Sequence, residues 1–176
     1  MKKIITIGGI FLLVITSIIG SLLYAHSTKP VSSMKEINNF HFVSEQLASS
    51  GMLALEDYQH IQDYGFKHVV NLIPGMQLKE KRHVESLGLS YQQIPVAWSE
   101  PTLDDFKQFV KLMKSYGEDK VYVHCQLNWR ASSFVYLYRV TQLGIPHEEA
   151  LRDLEAVWEP RDGWENFIAD TVKAYQ

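Results

Sequence analysis

A single cysteine, Cys125, stands in the chain of 176 residues. An intramolecular disulfide and a CxxC metal or redox pair are both excluded. No cluster of Lys and Arg is interleaved with aromatics and the formal net charge is −3, so the electrostatic footprint of a nucleic-acid binder is missing. His60, His68 and His83 show no metal-ligand spacing, which argues against a metal site. Neither an internal repeat nor a low-complexity tract breaks the sequence. Once the N-terminus is set aside, about 145 residues remain, the size of one ordinary domain.

The N-terminus is unlike the rest. Met1-Lys2-Lys3 precede a run from Ile4 to Ala25 that carries no charge and is rich in Ile, Leu and Val. About 20 apolar residues suffice to cross a bilayer as a helix, and the two lysines would hold the start in the cytoplasm. Ala25-His26-Ser27 also supplies a small-x-small cleavage site for a signal peptide, although the run is long for one. Residues 1–27 are therefore expected to be a transmembrane anchor or a cleaved signal, and either places the domain outside the cytoplasm, membrane-anchored or secreted. Residues 28–39 read as a polar linker, and the domain is expected over 40–176.

Within the domain, apolar spacing marks the elements. Phe40 to Ser49 suggests two short extended pieces. Helices are expected over Leu55 to Tyr64, with Gly65 as a stop, and over Gln77 to Leu87. Strands are expected over Lys67 to Ile73 and Ser90 to Val96, where Pro95 limits the ladder. From Leu103 a helix runs to Gly117, with Thr102 and Asp105 resembling a capping box. Lys120 to His124 is a β-rich run, and Ala131 to Leu143 a helix apolar on nearly every side. Two more helices follow, from His147 to Trp158 and from Gly163 to Ala174. Alternating strands and helices imply an α/β fold, a three-layer domain whose mainly parallel sheet of four to five strands is flanked by helices.

Chemistry concentrates between the last strand and the buried helix, in His124-Cys125-Gln126-Leu127-Asn128-Trp129-Arg130-Ala131-Ser132. A strand, a short loop and a helix present backbone N–H groups and a helix N-terminus to an anion. Cys125 at the strand end would feel that positive terminus and the nearby Arg130, and both favour thiolate over thiol. Arg130 adds a planar fork able to grip two oxygens of a phosphate or sulfate. Ser132 is placed to donate a hydrogen bond to the sulfur, and His124 to orient the loop. The opposing reading makes Cys125 a small buried residue, as free cysteines often are. The flanking His124, Arg130 and Ser132 favour a nucleophile.

The same segment resembles the loop of the cysteine-based phosphatases, in the dual-specificity and tyrosine-phosphatase-like group. The likeness extends through Phe42 to Gly51, Gly65 to Leu72 and Ile94-Pro95-Val96. It implies a phosphoric monoester hydrolase that acts on a phosphorylated protein or small molecule through a cysteinyl-phosphate. Catalysis of that kind needs no metal and no cofactor. It implies Cys125 as nucleophile, Arg130 as oxyanion binder, Ser132 as helper, and Gln126, Leu127, Asn128 and Trp129 as the substrate-binding loop. The family pattern sets five residues between cysteine and arginine. Here four separate Cys125 from Arg130, and Ala131 occupies the usual arginine position. Asn128 stands where glycine is usual, and asparagine can adopt the left-handed conformation glycine would supply.

The four-residue spacing also resembles that of rhodanese-like sulfurtransferases, which hold a persulfide, and a non-catalytic anion-binding module is a third reading. The proton donor of such phosphatases lies on the loop after the Ile-Pro-Val strand. The usual aspartate is missing from Ala97-Trp98-Ser99-Glu100-Pro101, Trp98 lies near its place, and Glu100 is the nearest carboxyl candidate. Of Trp129, Trp158 and Trp164, only Trp129 is expected to wall the pocket, because large aromatics are more often core.

Overall fold

The computed structural model describes residues 34–176. The expected anchor or signal over residues 1–27 lies outside the described residues, as does the linker up to residue 33. Among the described residues no helix is long and apolar enough to cross a membrane.

Among the described residues, five strands form one sheet: β1 (His41–Ser44), β2 (Leu47–Ser50), β3 (His68–Asn71), β4 (Ser90–Gln93) and β5 (Val121–His124). Their spatial order is β1-β2-β5-β3-β4. β1 runs antiparallel to β2, and the other neighbouring pairs are parallel. This is the expected α/β sheet, with β5 at its centre. β4 ends before Ile94 and Pro95, as a residue without an N–H dictates at the end of a ladder.

Six helices among the described residues cover the sheet: α1 (Asp57–Asp63), α2 (Leu78–Ser86), α3 (Leu103–Tyr116), α4 (Trp129–Gln142), α5 (His147–Glu155) and α6 (Trp164–Ala174). The period-2 alternation of strand side chains assigns them to two faces. Val70, Val121 and Val123 join a core with Phe106, Phe109, Phe134, Leu154 and Trp164, from α3 to α6. Val69, Tyr91 and Tyr122 point the other way, into a core with Tyr58 and Ile61 of α1 and Val84 of α2. The capping box of α3 forms: the Asp105 N–H donates to Thr102 Oγ1 at 3.1 Å, and the Thr102 N–H to Asp105 Oδ2 at 3.0 Å.

Two boundaries differ from expectation. The domain begins before Phe40, because Met34 and Ile37 are buried in the second core. The polar residues around them hid a pair of apolar anchors three apart, so residues 34–39 are domain rather than linker. The buried helix begins at Trp129 rather than Ala131, which puts Arg130 in its first turn and shortens the loop.

Candidate active site

The C-terminal ends of the central strands converge at one edge, where ligands of open α/β sheets bind. β5 ends at His124, and the Cys125 N–H extends the ladder by donating to the Ser50 carbonyl at 3.2 Å. The chain then crosses Gln126 and Leu127 and enters α4. Asn128 makes the turn with φ 67° and ψ −3°, the left-handed conformation anticipated for it. Its side chain is fully buried, and Nδ2 donates to the Asn39 carbonyl at 2.7 Å. Asn39 returns the contact, donating from Nδ2 to the Leu127 carbonyl at 3.0 Å. On the other side the Met52 N–H holds the Gln126 carbonyl at 3.0 Å. Gly51 makes this close approach possible: a Cβ there would lie 2.8 Å from Asn38 Nδ2 and 3.0 Å from the Gln126 carbonyl.

A cavity of about 300 Å³ opens at this loop, lined by Trp98, Cys125, Gln126, Leu127, Trp129 and Arg130. Cys125 is only 2% exposed and Arg130 8%. The first turn of α4, carrying the partial positive charge of a helix N-terminus, begins with the lining residue Trp129. Arg130 Nε and Nη1 are buried and have no hydrogen-bond partner among the described residues. Its guanidinium carbon lies 6.0 Å from the centroid of the Trp98 ring. The other buried arginine of α4 shows the contrast. Arg139 is bound by Asp153 and by Glu149, the latter at 3.2 Å.

Four of the expected site residues, Cys125, Gln126, Leu127 and Trp129, meet Arg130 around the cavity; three others do not. Asn128 shapes the turn and does not line the space. Ser132 makes no hydrogen bond to the sulfur. Its hydroxyl donates to the Trp129 carbonyl at 3.2 Å, an i−3 acceptor that exists because the helix starts early. Glu100 is exposed and lies outside the cavity lining, and no carboxyl is among the lining residues.

Trp98 is the wall that sequence reasoning missed. All four tryptophans of the chain cluster here. Trp98 lies 5.5 Å from Trp129, 5.6 Å from Trp158 and 5.3 Å from Trp164, centroid to centroid. Trp129 stacks on Trp158 at 5.1 Å with an interplanar angle of 8°. Trp164 Nε1 donates to the Trp98 carbonyl at 3.0 Å, fixing the loop after β4.

Behind the loop lies a buried polar network that no sequence motif announced. His124 is 1% exposed, and its Nε2 pairs with Glu80 Oε1 at 2.7 Å. The Tyr58 hydroxyl donates to the same oxygen at 2.7 Å, and Asn71 Nδ2 to Glu80 Oε2 at 2.8 Å. Burial alone would raise the Glu80 carboxyl, but hydrogen bonding and charge from His124, with Tyr58 and Asn71, hold it below its ordinary value. Burial, then the Glu80 charge, pushes the Tyr58 hydroxyl far above its own.

The family model described as a DSP-PTPase phosphatase fused to NAD+ kinase matches residues 28–163. The chain belongs to this DSP-PTPase phosphatase family. Among solved structures, a DUF442 protein from Shewanella putrefaciens is 26% identical, with a TM-score of 0.74 over 83% of this chain and 99% of its own. Two others share the fold. P. aeruginosa TpbA is 19% identical over 78% of this chain and 83% of its own, with a TM-score of 0.58. The core catalytic domain of the PP-IP phosphatase SIW14 from S. cerevisiae is 15% identical over 78% of this chain and 90% of its own, with a TM-score of 0.65. No curated protein matches the chain. The phosphatase-like α/β fold expected from the sequence is thus the fold of this family.

Proposed function

We propose that the protein is a cysteine-dependent phosphoric monoester hydrolase in which Cys125 attacks phosphorus and a cysteinyl-phosphate is then hydrolysed. Arg130 carries the reading. Its Nε and Nη1 are buried with no partner among the described residues, unlike the guanidinium of Arg139, which Asp153 and Glu149 neutralise, and unpaired buried polar groups cost free energy. Placed beside a thiol in a cavity at a helix N-terminus, it is matched to an incoming phosphoryl group, whose oxygens its fork would grip. Family membership supports the same chemistry, and the relative TpbA has been crystallised as its C132S form in complex with pTyr.

An aryl phosphate should be turned over by the wild type and not by Cys125→Ser. Arg130→Ala should lower kcat/KM by about 10²–10³, the loss typical of removing one charge-stabilising donor. Rapid acid quenching should leave one phosphoryl group on Cys125 by mass. Equal activity in wild type and Cys125→Ser would refute the proposal. A persulfide on Cys125 after thiosulfate treatment would favour sulfur transfer instead.

Residues 1–27 are proposed to export or anchor this domain, on the strength of the uncharged run after Lys2 and Lys3. Cell fractionation with protease protection tests it: a full-length chain recovered in the cytosol refutes it.

A further inference from the structure

Among the described residues, none that lines the cavity carries a carboxyl group. Of the lining side chains, Trp98, Gln126, Leu127 and Trp129 have no proton to yield at ordinary pH, Arg130 is the expected oxyanion binder, and Cys125 is the nucleophile of the proposed reaction. The loop that would bring an acid is tied down. Trp98 is bonded to Trp164 through its carbonyl and ringed by the other three tryptophans. Glu100, two residues on, is exposed. Beside Gln126, the other walls are apolar, with Leu127 42% exposed next to the two indoles; the cation in the lining is Arg130, and a second, Arg161, lies 5.4 Å from the centroid of the Trp129 ring.

Resting on the function proposed above, we infer that the site serves phosphate esters whose leaving group departs unprotonated, namely phosphates of flat aromatic compounds with an acidic hydroxyl. Each feature selects part of that class. Protonation of a leaving oxygen contributes about 10²–10⁴-fold where an acid is positioned for it, and alkyl esters depend on that help. A phenolate carries its own charge away. The exposed Leu127 and the indoles of Trp98 and Trp129 offer an aromatic ring apolar contact.

In the first step the Sγ–P bond forms, the P–O bond to the ring breaks, and its electron pair leaves on the phenolate oxygen, which is protonated in solvent. In the second, water forms a new P–O bond, the S–P bond breaks, and its electron pair returns to sulfur. Phosphate departs with both protons of that water. No oxidant, reductant or further reactant is required.

The test is a series of ring-substituted phenyl phosphates with the wild-type protein, together with an alkyl phosphate and pyrophosphate. The value of kcat/KM should fall about tenfold for each unit by which the phenol pKa rises, as expected when nothing protonates the leaving oxygen, and the alkyl ester should be inert. Rates that barely change across the series, or an alkyl phosphate hydrolysed as fast as phenyl phosphate, would overturn this inference and leave the phosphatase reading standing. Pyrophosphate outrunning every aryl ester would overturn the aromatic class. No turnover of any member beyond that of Cys125→Ser would overturn both.

Discussion

Two arginines on one helix show how burial separates structure from chemistry. Arg139 sits between Asp153 and Glu149, and Asp153 is also bonded to His41 Nε2 at 2.8 Å. In Arg130, Nε and Nη1 are buried with no such partner among the described residues, and an anion would supply one. Replacing it with an apolar side chain of similar length should therefore stabilise the free protein. Arg130→Met is expected to gain about 1 kcal/mol or more, a Tm rise of roughly 2–4 °C for a domain of this size. Wild type in phosphate at about 100 times its Kd should gain about 2.7 kcal/mol through binding linkage, and Arg130→Met should gain nothing. Differential scanning calorimetry with and without phosphate reads both effects. A lower Tm in Arg130→Met without anion would make the guanidinium a structural anchor instead.

At the scale of elements, the strand, loop and helix around Cys125 were legible because each rests on local rules. Val121, Tyr122 and Val123 read as a strand from β propensity, and Gly117 and the Thr102–Asp105 box bounded α3 as capping chemistry requires. Asn128 was legible for the same reason, since a left-handed turn admits few side chains. What escaped the sequence is what depends on distant contacts. The Asn39–Asn128 latch joins residues 89 apart, and the clearance at Gly51 matters only because Asn38 and Gln126 arrive there. Ser132 is expected at the sulfur, but the early helix start hands its hydroxyl a backbone acceptor. In the sequence Trp98 is only the residue near an expected aspartate. Its neighbours Trp158 and Trp164, about 60 residues further along, are what make it a wall.

Across the whole molecule, one carboxylate ties α1, α2, β3 and β5 together behind the loop. Glu80 accepts from Tyr58, His124 and Asn71, and Asn71 Nδ2 also donates to the Tyr91 hydroxyl of β4 at 3.0 Å. Five elements thus share one largely buried charge, 15% exposed, and folding stability should report its protonation. The folded-state pKa of Glu80 lies below its ordinary 4.5, so as pH falls the unfolded chain takes up that proton before the folded one does. The contribution of Glu80 is complete above its unfolded pKa and is lost as pH falls through the folded one. Glu80→Gln keeps the shape and removes the charge. It should destabilise the protein by about 2 kcal/mol at neutral pH, the scale of hydrogen bonds to a charged group. That difference from wild type should hold steady down to about pH 5 and shrink below it, so that the two urea midpoints converge in acid. Other carboxylates titrate in both proteins and cancel from the comparison. A gap that persists unchanged into acid would mean that Glu80 serves by shape alone. One that opens only in acid would place the shift in the opposite direction.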